Sequence, residues 1–241
     1  MIIPAYNEEN RLPGSLDKIA TFLSQQEYSA EVLVVENGSS DRTYEVASEF
    51  AKHNENFSVM QAEGRGKGLA VRTGMLATQG QYRFMCDADL SMPIEEINNF
   101  LPPKIAAPQI VIGSREAPGA VRYNEPEFRH FGGRGINILI RLLALPKLRD
   151  TQCGFKLFRA DIAEDLFRAQ KLDSWSFDIE VLRIARQRDY EIVELPVPWY
   201  YTEESHVNPI PDALKLIADL FTIRRNLRNG AYARGSHAQA H

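Results

Sequence analysis

Asp87 and Asp89 are the residues whose type and spacing best suit catalysis. They directly follow an apolar run, Tyr82 to Cys86, which predicts a buried strand. In an extended segment the i, i+2 spacing points both carboxylates to one side. Two negative charges at such a short distance repel each other unless a cation lies beside them. Carboxylate oxygens suit Mg²⁺ or Mn²⁺, and these ions usually share their coordination with substrate phosphates. The pair therefore predicts a divalent metal next to a phosphorylated ligand, although two solvated loop acids or helix caps would give the same short pattern.

A glycine-rich loop, Gly64 to Gly68, precedes this strand and has Lys67 near its centre. Glycines let backbone N–H groups approach a phosphate closely, and the lysine adds a positive charge. The loop matches neither a Walker loop nor the dinucleotide fingerprint, and glycines often serve only to form turns. Phosphate binding and simple turn formation both stay open for this loop.

Alternating strand and helix patterns through the first 115 residues would position these groups. Short apolar runs predict five strands, near residues 1–5, 32–35, 57–60, 82–86 and 109–112. Helical patterns lie between them, as in βαβ units, which predicts a mainly parallel, doubly wound sheet. We therefore expect an α/β fold whose ligands bind at the carboxyl ends of the strands.

The second half of the chain has a less regular pattern. It predicts a polar loop over 116–132, an apolar helix over 136–145, a loop entering a strand over 150–158, a helix from 175 to 188, a final strand over 191–197 and an amphipathic helix over 211–229. The last helix carries Arg224, Arg225 and Arg228, which suit a helix C-terminus and would also suit an anionic membrane surface. We expect a single domain over 1–229, with 230–241 as a tail.

Composition sets the compartment and the class of partner. The 241-residue chain is 44% hydrophobic, and Cys86 and Cys153 follow no metal or redox spacing, so we expect a reducing, cytoplasmic compartment. No signal-peptide pattern and no run of about 18 apolar residues occurs, which argues against an integral span. The net charge of −4 conceals a segment, 115–149, with seven Lys or Arg against three acids. That segment predicts an anionic partner.

Four motifs occur in order and together resemble glycosyltransferase family 2: Pro-Ala-Tyr-Asn-Glu (4–8), Val-Val-Glu-Asn-Gly-Ser-Ser-Asp (34–41), Gly-Lys-Gly (66–68) and Asp-Ala-Asp-Leu-Ser-Met-Pro (87–93). Three more look like the polyprenyl-phosphate sugar synthases of that family: Gly-Ser-Arg (113–115), Asp-Thr-Gln-Cys-Gly-Phe-Lys-Leu-Phe (150–158) and Phe-Asp-Ile-Glu-Val-Leu (177–182). They match the dolichyl-phosphate β-glucosyltransferase branch somewhat better than the mannose synthases. The resemblance covers about residues 1–228.

The resemblance implies a GT-A fold and an inverting transfer of a hexose from a nucleotide sugar, with Mg²⁺ or Mn²⁺ bridging Asp89 to the donor diphosphate. It also implies that the following residues border the donor, with Glu36 facing the base and Asp87 the base or ribose: Pro4, Ala5, Tyr6, Glu8, Glu36, Asp87, Ala88 and Asp89. Arg115 and Arg129 match arginines that hold the acceptor phosphate, and Asp150 matches an acid beside the reacting centre.

Three positions depart from the family pattern. Glu36 stands where Asp is usual. Ser91, a candidate metal ligand, stands where the mannose synthases have a metal-coordinating glutamine, and serine there is at home in the glucosyl branch. His206 stands where Lys or Arg is commoner, in a polar segment predicted to close over the donor diphosphate.

We expect an enzyme on the cytoplasmic face of a membrane that moves glucose from UDP-glucose to a polyprenyl or dolichyl phosphate. The metal and Lys67 would offset charge on the leaving UDP. The alternatives are transfer from GDP-mannose, transfer to a glycan acceptor, and a nucleotide-sugar-binding protein with a degenerate site. Few interleaved aromatic residues and the negative net charge argue against nucleic-acid binding.

Overall fold

The computed structural model of the chain describes residues 1–125, 140–141, 144–201 and 209–233. The strands are β1 (Ile2–Ala5), β2 (Val32–Glu36), β3 (Phe57–Gln61), β4 (Tyr82–Cys86), β5 (Ile110–Ser114), β6 (Val121–Tyr123), β7 (Phe155–Arg159), β8 (Ile192–Pro196) and β9 (Pro198–Tyr200). The helices are α1 (Leu12–Leu23), α2 (Thr43–Lys52), α3 (Lys67–Ala77), α4 (Ala160–Ala169), α5 (Phe177–Gln187) and α6 (Pro209–Arg228), with a 3-10 helix at Ile94–Asn99.

Seven of these strands form one sheet in the order β3-β2-β1-β4-β7-β5-β8. Its described pairings are parallel except for the two made by β7, which runs antiparallel to β4 and to β5. The prediction of an α/β fold with a mainly parallel sheet is confirmed. The antiparallel strand matters for the site because the start of β7 lies beside the ends of its neighbours.

The central strands are covered on both faces, as their continuous apolar runs predict. Alternate residues of the same strand enter different cores: Ile2 belongs to the core that includes residues of helices α3 to α6, whereas Ile3 belongs to the core that includes residues of α1, α2 and the 3-10 helix. Every residue of β1, β2 and β5 is buried. The faces of the central strands are therefore covered, and a ligand can bind at the edge where the carboxyl ends of the strands meet.

The structure differs from the sequence-based assignment in several details. A short strand, β6, lies within the predicted polar loop and pairs in parallel with β9, which follows the predicted final strand. The segment after Pro93 is a 3-10 helix rather than an α-helix. The predicted helix over 136–145 falls mostly outside the described residues.

The C-terminal helix is present, and packing continues beyond the predicted boundary at residue 229. Tyr232 is 2% exposed, and its hydroxyl donates a 2.6 Å hydrogen bond to Glu180. Tyr232 therefore attaches the chain after α6 to α5, and the domain boundary at residue 229 stays a prediction. Within the described residues, no helix is both long and apolar enough to cross a membrane.

Candidate active site

The candidate site forms where the ends of β1, β2 and β4 meet the beginning of β7. Ala5 lies opposite Glu36 in the β1–β2 register, and Cys86 lies opposite Phe155 in the β4–β7 register. Because β7 is antiparallel, the residues before Phe155 arrive at the same edge as the residues after Cys86. Chain segments that are more than 60 residues apart thus come into contact at this edge.

Asp87 forms an ion pair with Lys67, with 2.6 Å between Oδ1 and Nζ. Burial disfavours the charged forms of both groups, but their mutual attraction outweighs it, so the pKa of Lys67 is raised and that of Asp87 is lowered. The Lys67 ammonium also lies 4.8 Å from the ring centroid of Trp175, which is 49% exposed. A fixed positive charge therefore sits at the predicted phosphate-binding position.

Gly154 makes the position of Asp87 possible. The Asp87 N–H donates to the Gly154 carbonyl at 3.1 Å, and a Cβ built on Gly154 would lie 1.8 Å from Asp87 Oδ2. No residue with a side chain fits there unless the carboxylate moves. The sequence indicated a loop at this point but gave no reason to connect this glycine with Asp87.

The glycine loop before α3 packs against another loop rather than standing open. A Cβ on Gly66, whose φ is +136°, would lie 2.1 Å from the Asp173 carbonyl oxygen, and the Gly68 N–H donates to that same oxygen at 3.0 Å. These two glycines allow close contact between backbones, and the Gly68 amide is occupied within the protein. Lys67 is consequently the group of this loop that faces Asp87.

Asp89 is half-buried and forms no ion pair among the described residues. Its Oδ1 accepts a 2.9 Å hydrogen bond from the Ser91 N–H, in a turn where Leu90 has a positive φ of 46°. Ser91 is 4% exposed, and its carbonyl accepts from the Tyr200 N–H at 2.7 Å. The turn therefore holds Asp89 in place without neutralising it.

This arrangement fits a divalent ion that takes part of its coordination from a ligand. In the described part of the chain, no group of three or more His, Cys, Asp or Glu residues could hold a metal alone. Mg²⁺ is commonly held by one or two carboxylates together with substrate phosphates. Asp89 would be the carboxylate ligand, whereas the role of Ser91 as a ligand stays a prediction.

The residues predicted to border the nucleotide lie at the ends of β1 and β2. Pro4 and Ala5 are buried in β1, Tyr6 is half-buried, and Ala88 is 4% exposed with its carbonyl accepting from Ser15 Oγ at 2.7 Å. These positions agree with a shared edge. Their contact with a nucleotide stays a prediction.

Glu8 and Glu36 already have partners in the protein. The Glu8 carboxylate pairs with Arg11, and its N–H donates to Thr43 Oγ1 at 2.7 Å. The Glu36 carboxylate accepts from the Ser39 N–H and, at 3.3 Å, from Gln61 Nε2. Both acids thus shape the loops after β1 and β2, in addition to any contact with a ligand.

Arg115 and Asp150 form a bidentate pair, with Nε to Oδ2 at 2.6 Å and Nη2 to Oδ1 at 2.9 Å. Asp150 is fully buried and also accepts from the N–H groups of Arg115 and Gln152. Burial opposes its charge, but the Arg115 guanidinium prevails and lowers the pKa of Asp150 to about 2. Asp150 is therefore a poor proton acceptor and a good anchor for Arg115.

A second buried pair, Lys156 with Asp178, was not found by sequence reasoning. Their charged atoms are 2.7 Å apart, Lys156 is 1% exposed, and its ammonium also donates to the Cys153 carbonyl. Burial raises the pKa of Asp178. The pair lies beneath the loop that carries Asp150 and Gly154. A lysine within the apolar run of β7 was the available signal.

Two predicted site residues, Arg129 and His206, lie outside the described residues. The structure therefore brings together Lys67, Asp87 and Gly154 on one side, and Arg115 with Asp150 on the other. The predicted roles of Arg129 in acceptor binding and of His206 in donor binding stay predictions.

Comparison with known proteins assigns the chain to a class of enzyme. The sequence profile described as glycosyl transferase family 2 matches residues 1–167. The chain therefore belongs to glycosyltransferase family 2 and is a glycosyltransferase.

Its relatives include dolichyl-phosphate beta-glucosyltransferases of several eukaryotes. One of the proteins of Trichomonas vaginalis is 36% identical, with 96% of this chain and 72% of the relative covered. That of Drosophila melanogaster is 36% identical, with 92% and 73% covered. That of Homo sapiens is 32% identical, with 96% and 76% covered.

A solved structure confirms the GT-A fold. Glucosyl-3-phosphoglycerate synthase from Mycobacterium tuberculosis, in complex with Mn²⁺ and UDP-glucose, superposes with a TM-score of 0.64 at 17% identity. The match covers 92% of this chain and 77% of that one. The predicted family and fold are both confirmed.

Proposed function

We propose that this enzyme transfers glucose from UDP-glucose to a dolichyl or related polyprenyl phosphate. The reaction is metal-dependent and inverts the configuration at the anomeric carbon. The observation that carries the proposal is Asp89, a half-buried acid held without an ionic partner among the described residues, beside the Lys67–Asp87 pair. The named relatives support the sugar and the lipid, and the Mn²⁺ and UDP-glucose complex of the neighbour supports the donor and the metal.

The donor side of the site would work by electrostatics. Charge accumulates on the leaving diphosphate, and a preorganised cation stabilises that charge most effectively in a site shielded from water. A bound Mg²⁺ or Mn²⁺ would supply such charge when held by Asp89. Lys67 would supply more, because Asp87 fixes its ammonium at this edge.

The acceptor side needs little acid–base chemistry. A phosphate monoester has a second pKa of about 6, so it is mostly a dianion at neutral pH and is already a nucleophile. One of its oxygens would form the bond to the anomeric carbon, while the bond from that carbon to the diphosphate breaks and UDP leaves with the electron pair. No proton has to be removed, which agrees with Asp150 serving to orient Arg115.

The location follows from the proposed acceptor. A polyprenyl chain keeps its phosphate at a bilayer surface, and a nucleotide sugar is dissolved in the cytosol. The enzyme would therefore act as a peripheral protein on the cytoplasmic face of a membrane.

The test is a transfer assay with purified protein, Mn²⁺ and dolichyl phosphate in detergent, comparing UDP-glucose with GDP-mannose. We expect dolichyl-phosphate glucose, identified by mass spectrometry, and loss of the product when the metal is chelated. A product formed with GDP-mannose but not with UDP-glucose would show that GDP-mannose is the donor. Transfer only to a soluble glycan would replace the proposed acceptor.

A further inference from the structure

The C-terminal helix α6 presents an apolar and basic face to solvent. Its inner face is formed by Leu216, Leu220 and Ile223, which are buried. On the outer face, Leu214 is 65% exposed and Phe221 is 63% exposed, the highest values among the exposed large hydrophobic residues that the structure describes. A helix that already buries one apolar face gains nothing within this chain by exposing two more large side chains.

The charge on this outer face is of one sign. From residue 213 to its end at Arg228, its exposed positions are Leu214, Lys215, Ala218, Phe221, Arg224, Arg225 and Arg228. They include four cations and no acid. The acid in this part of the helix, Asp219, accepts a 2.7 Å hydrogen bond from Ser174 Oγ and is therefore directed towards the protein.

The helix is also tied to the candidate active site. Ser174, the partner of Asp219, directly precedes Trp175, whose ring contacts the Lys67 ammonium. On the far side, the Tyr232 hydroxyl donates to Glu180, and the other oxygen of Glu180 accepts from the Leu172 N–H at 2.8 Å. Hydrogen bonds thus fix α6 against the loop that packs on the glycines beside Lys67.

We infer that the outer face of α6 binds the surface of an anionic lipid bilayer. Leu214 and Phe221 enter the headgroup region, and the three arginines contact lipid phosphates, which is how amphipathic helices with basic polar residues bind membranes. Membrane binding through this surface would orient the active site towards the lipid acceptor. Only this biological role of the surface rests on the proposed function. Vesicle binding is itself independent of which sugar or acceptor the enzyme uses.

Charge argues for a lipid surface over a second copy of this chain. A twofold interface places the same patch of both subunits face to face, so the arginines of two α6 helices would oppose each other. Like charges brought together in this way repel. An anionic bilayer complements the same four cations and also accepts the two apolar side chains.

The experiment measures flotation of the purified protein with vesicles of phosphatidylcholine, with and without phosphatidylserine. Arg224→Gln/Arg225→Gln/Arg228→Gln should weaken binding to the anionic vesicles roughly 100-fold, because each basic residue near such a surface contributes about fivefold. The matched control, Lys18→Gln/Lys52→Gln/Lys104→Gln, removes the same charge from exposed positions elsewhere and should leave binding within about threefold.

A second variant tests the apolar part. Leu214→Ser/Phe221→Ser should weaken binding at every salt concentration, whereas the arginine variant should lose its difference from wild type as salt rises. Equal losses in the arginine variant and the lysine control would overturn the inference, because net charge alone would then explain binding. Self-association of the wild type that Phe221→Ser abolishes would overturn it too.

Failure of this inference can be told apart from failure of the proposed function. Calorimetry with UDP and Mn²⁺ should be unchanged in all three variants, and so should glucosyl transfer to a short, water-soluble prenyl phosphate. Normal vesicle binding without glucosyl transfer counts against the function alone. Normal transfer without vesicle binding counts against the surface alone.

Discussion

The Arg115–Asp150 pair and the Lys67–Asp87 pair at the edge of the sheet differ in how completely other groups of the protein contact their carboxylates. Asp150 is completely buried, and its two oxygens are bound by one guanidinium and two backbone amides. The Asp87 side chain is 26% exposed and has one lysine as its partner, and Asp89 beside it has no ionic partner among the described residues. We call Arg115–Asp150 the closed pair, because Asp150 is fully contacted within the protein, and Lys67–Asp87 the open pair, because Asp89 beside it has no ionic partner among the described residues. Substitutions in the closed pair should therefore lower the free energy of unfolding, whereas substitutions at the open pair and Asp89 should lower the rate of turnover.

The largest effect should come from breaking the closed pair. Arg115→Met leaves the Asp150 carboxylate buried without its cation, which should lower the free energy of unfolding by about 3–5 kcal/mol in urea titrations. Arg115→Met/Asp150→Leu should recover much of this loss, since a buried ion pair is often replaceable by apolar residues. Recovery of acceptor KM along with stability in the double variant would contradict a role for Arg115 in acceptor binding.

The open side should respond in activity instead. Asp89→Asn should lower kcat by roughly 10²–10³, comparable to the loss of one preorganised electrostatic contact, and should change the free energy of unfolding by less than about 0.5 kcal/mol. Glucosyl transfer and calorimetry with UDP and Mn²⁺ are the measurements. Asp17→Asn, at an exposed position on α1, is the control. Undiminished metal-dependent UDP binding by Asp89→Asn would rule it out as a ligand.

Acid titration should reveal the contribution of Asp150 as a smaller effect on stability. The pKa of Asp150 is about 2 in the folded protein and about 3.9 in an unfolded chain, so its charge adds stability above the unfolded value. That contribution, roughly 2–3 kcal/mol, should fall away as pH decreases from about 5 to 2. The stability difference between wild type and Asp150→Asn, measured in urea, should therefore shrink over this interval. A constant difference would mean that another interaction explains the low pKa.

The smallest effect probes the contact between Gly154 and Asp87. Gly154→Ala places a Cβ against the Asp87 carboxylate and should weaken UDP binding roughly tenfold by displacing it. Gly14→Ala is the matched control, because a Cβ at Gly14 has no neighbouring atom within 4 Å. It should leave UDP binding unchanged and stabilise helix α1 slightly. Equal UDP affinity in both variants would show that the position of the Asp87 carboxylate does not affect UDP binding.

Local sequence patterns predicted the open side well. Apolar runs located the strands, and Asp87 and Asp89 follow the end of a buried one, so their place at the edge follows from the parallel topology alone. The closed side could not be predicted in this way. Arg115 and Asp150 are 35 residues apart, and their contact exists because β7 enters the sheet in reverse between β4 and β5.

Other misses have similar causes. Lys156 looks like a polar position in an edge strand, and Asp178 looks like a first-turn acid of a helix, since nothing local shows that both become buried and meet. For the glycines near Lys67, phosphate binding and turn formation both stayed open, because their contact with Asp173 depends on a loop more than 100 residues later. Long-range packing is the information that a local pattern does not contain.

The position of β7 also determines the order in which this enzyme can be completed during synthesis. A nascent chain that has emerged from the ribosome only through residue 125 carries both neighbours of β7 but not β7 itself. Two strand edges then remain open in the middle of the sheet, and open edges are where nascent chains associate wrongly. When Gly154 and β7 follow, one segment fills the gap between β4 and β5 and positions Asp87, and β8 is added beside β5 later. A protein fragment released before that point would lack both a finished fold and a finished site.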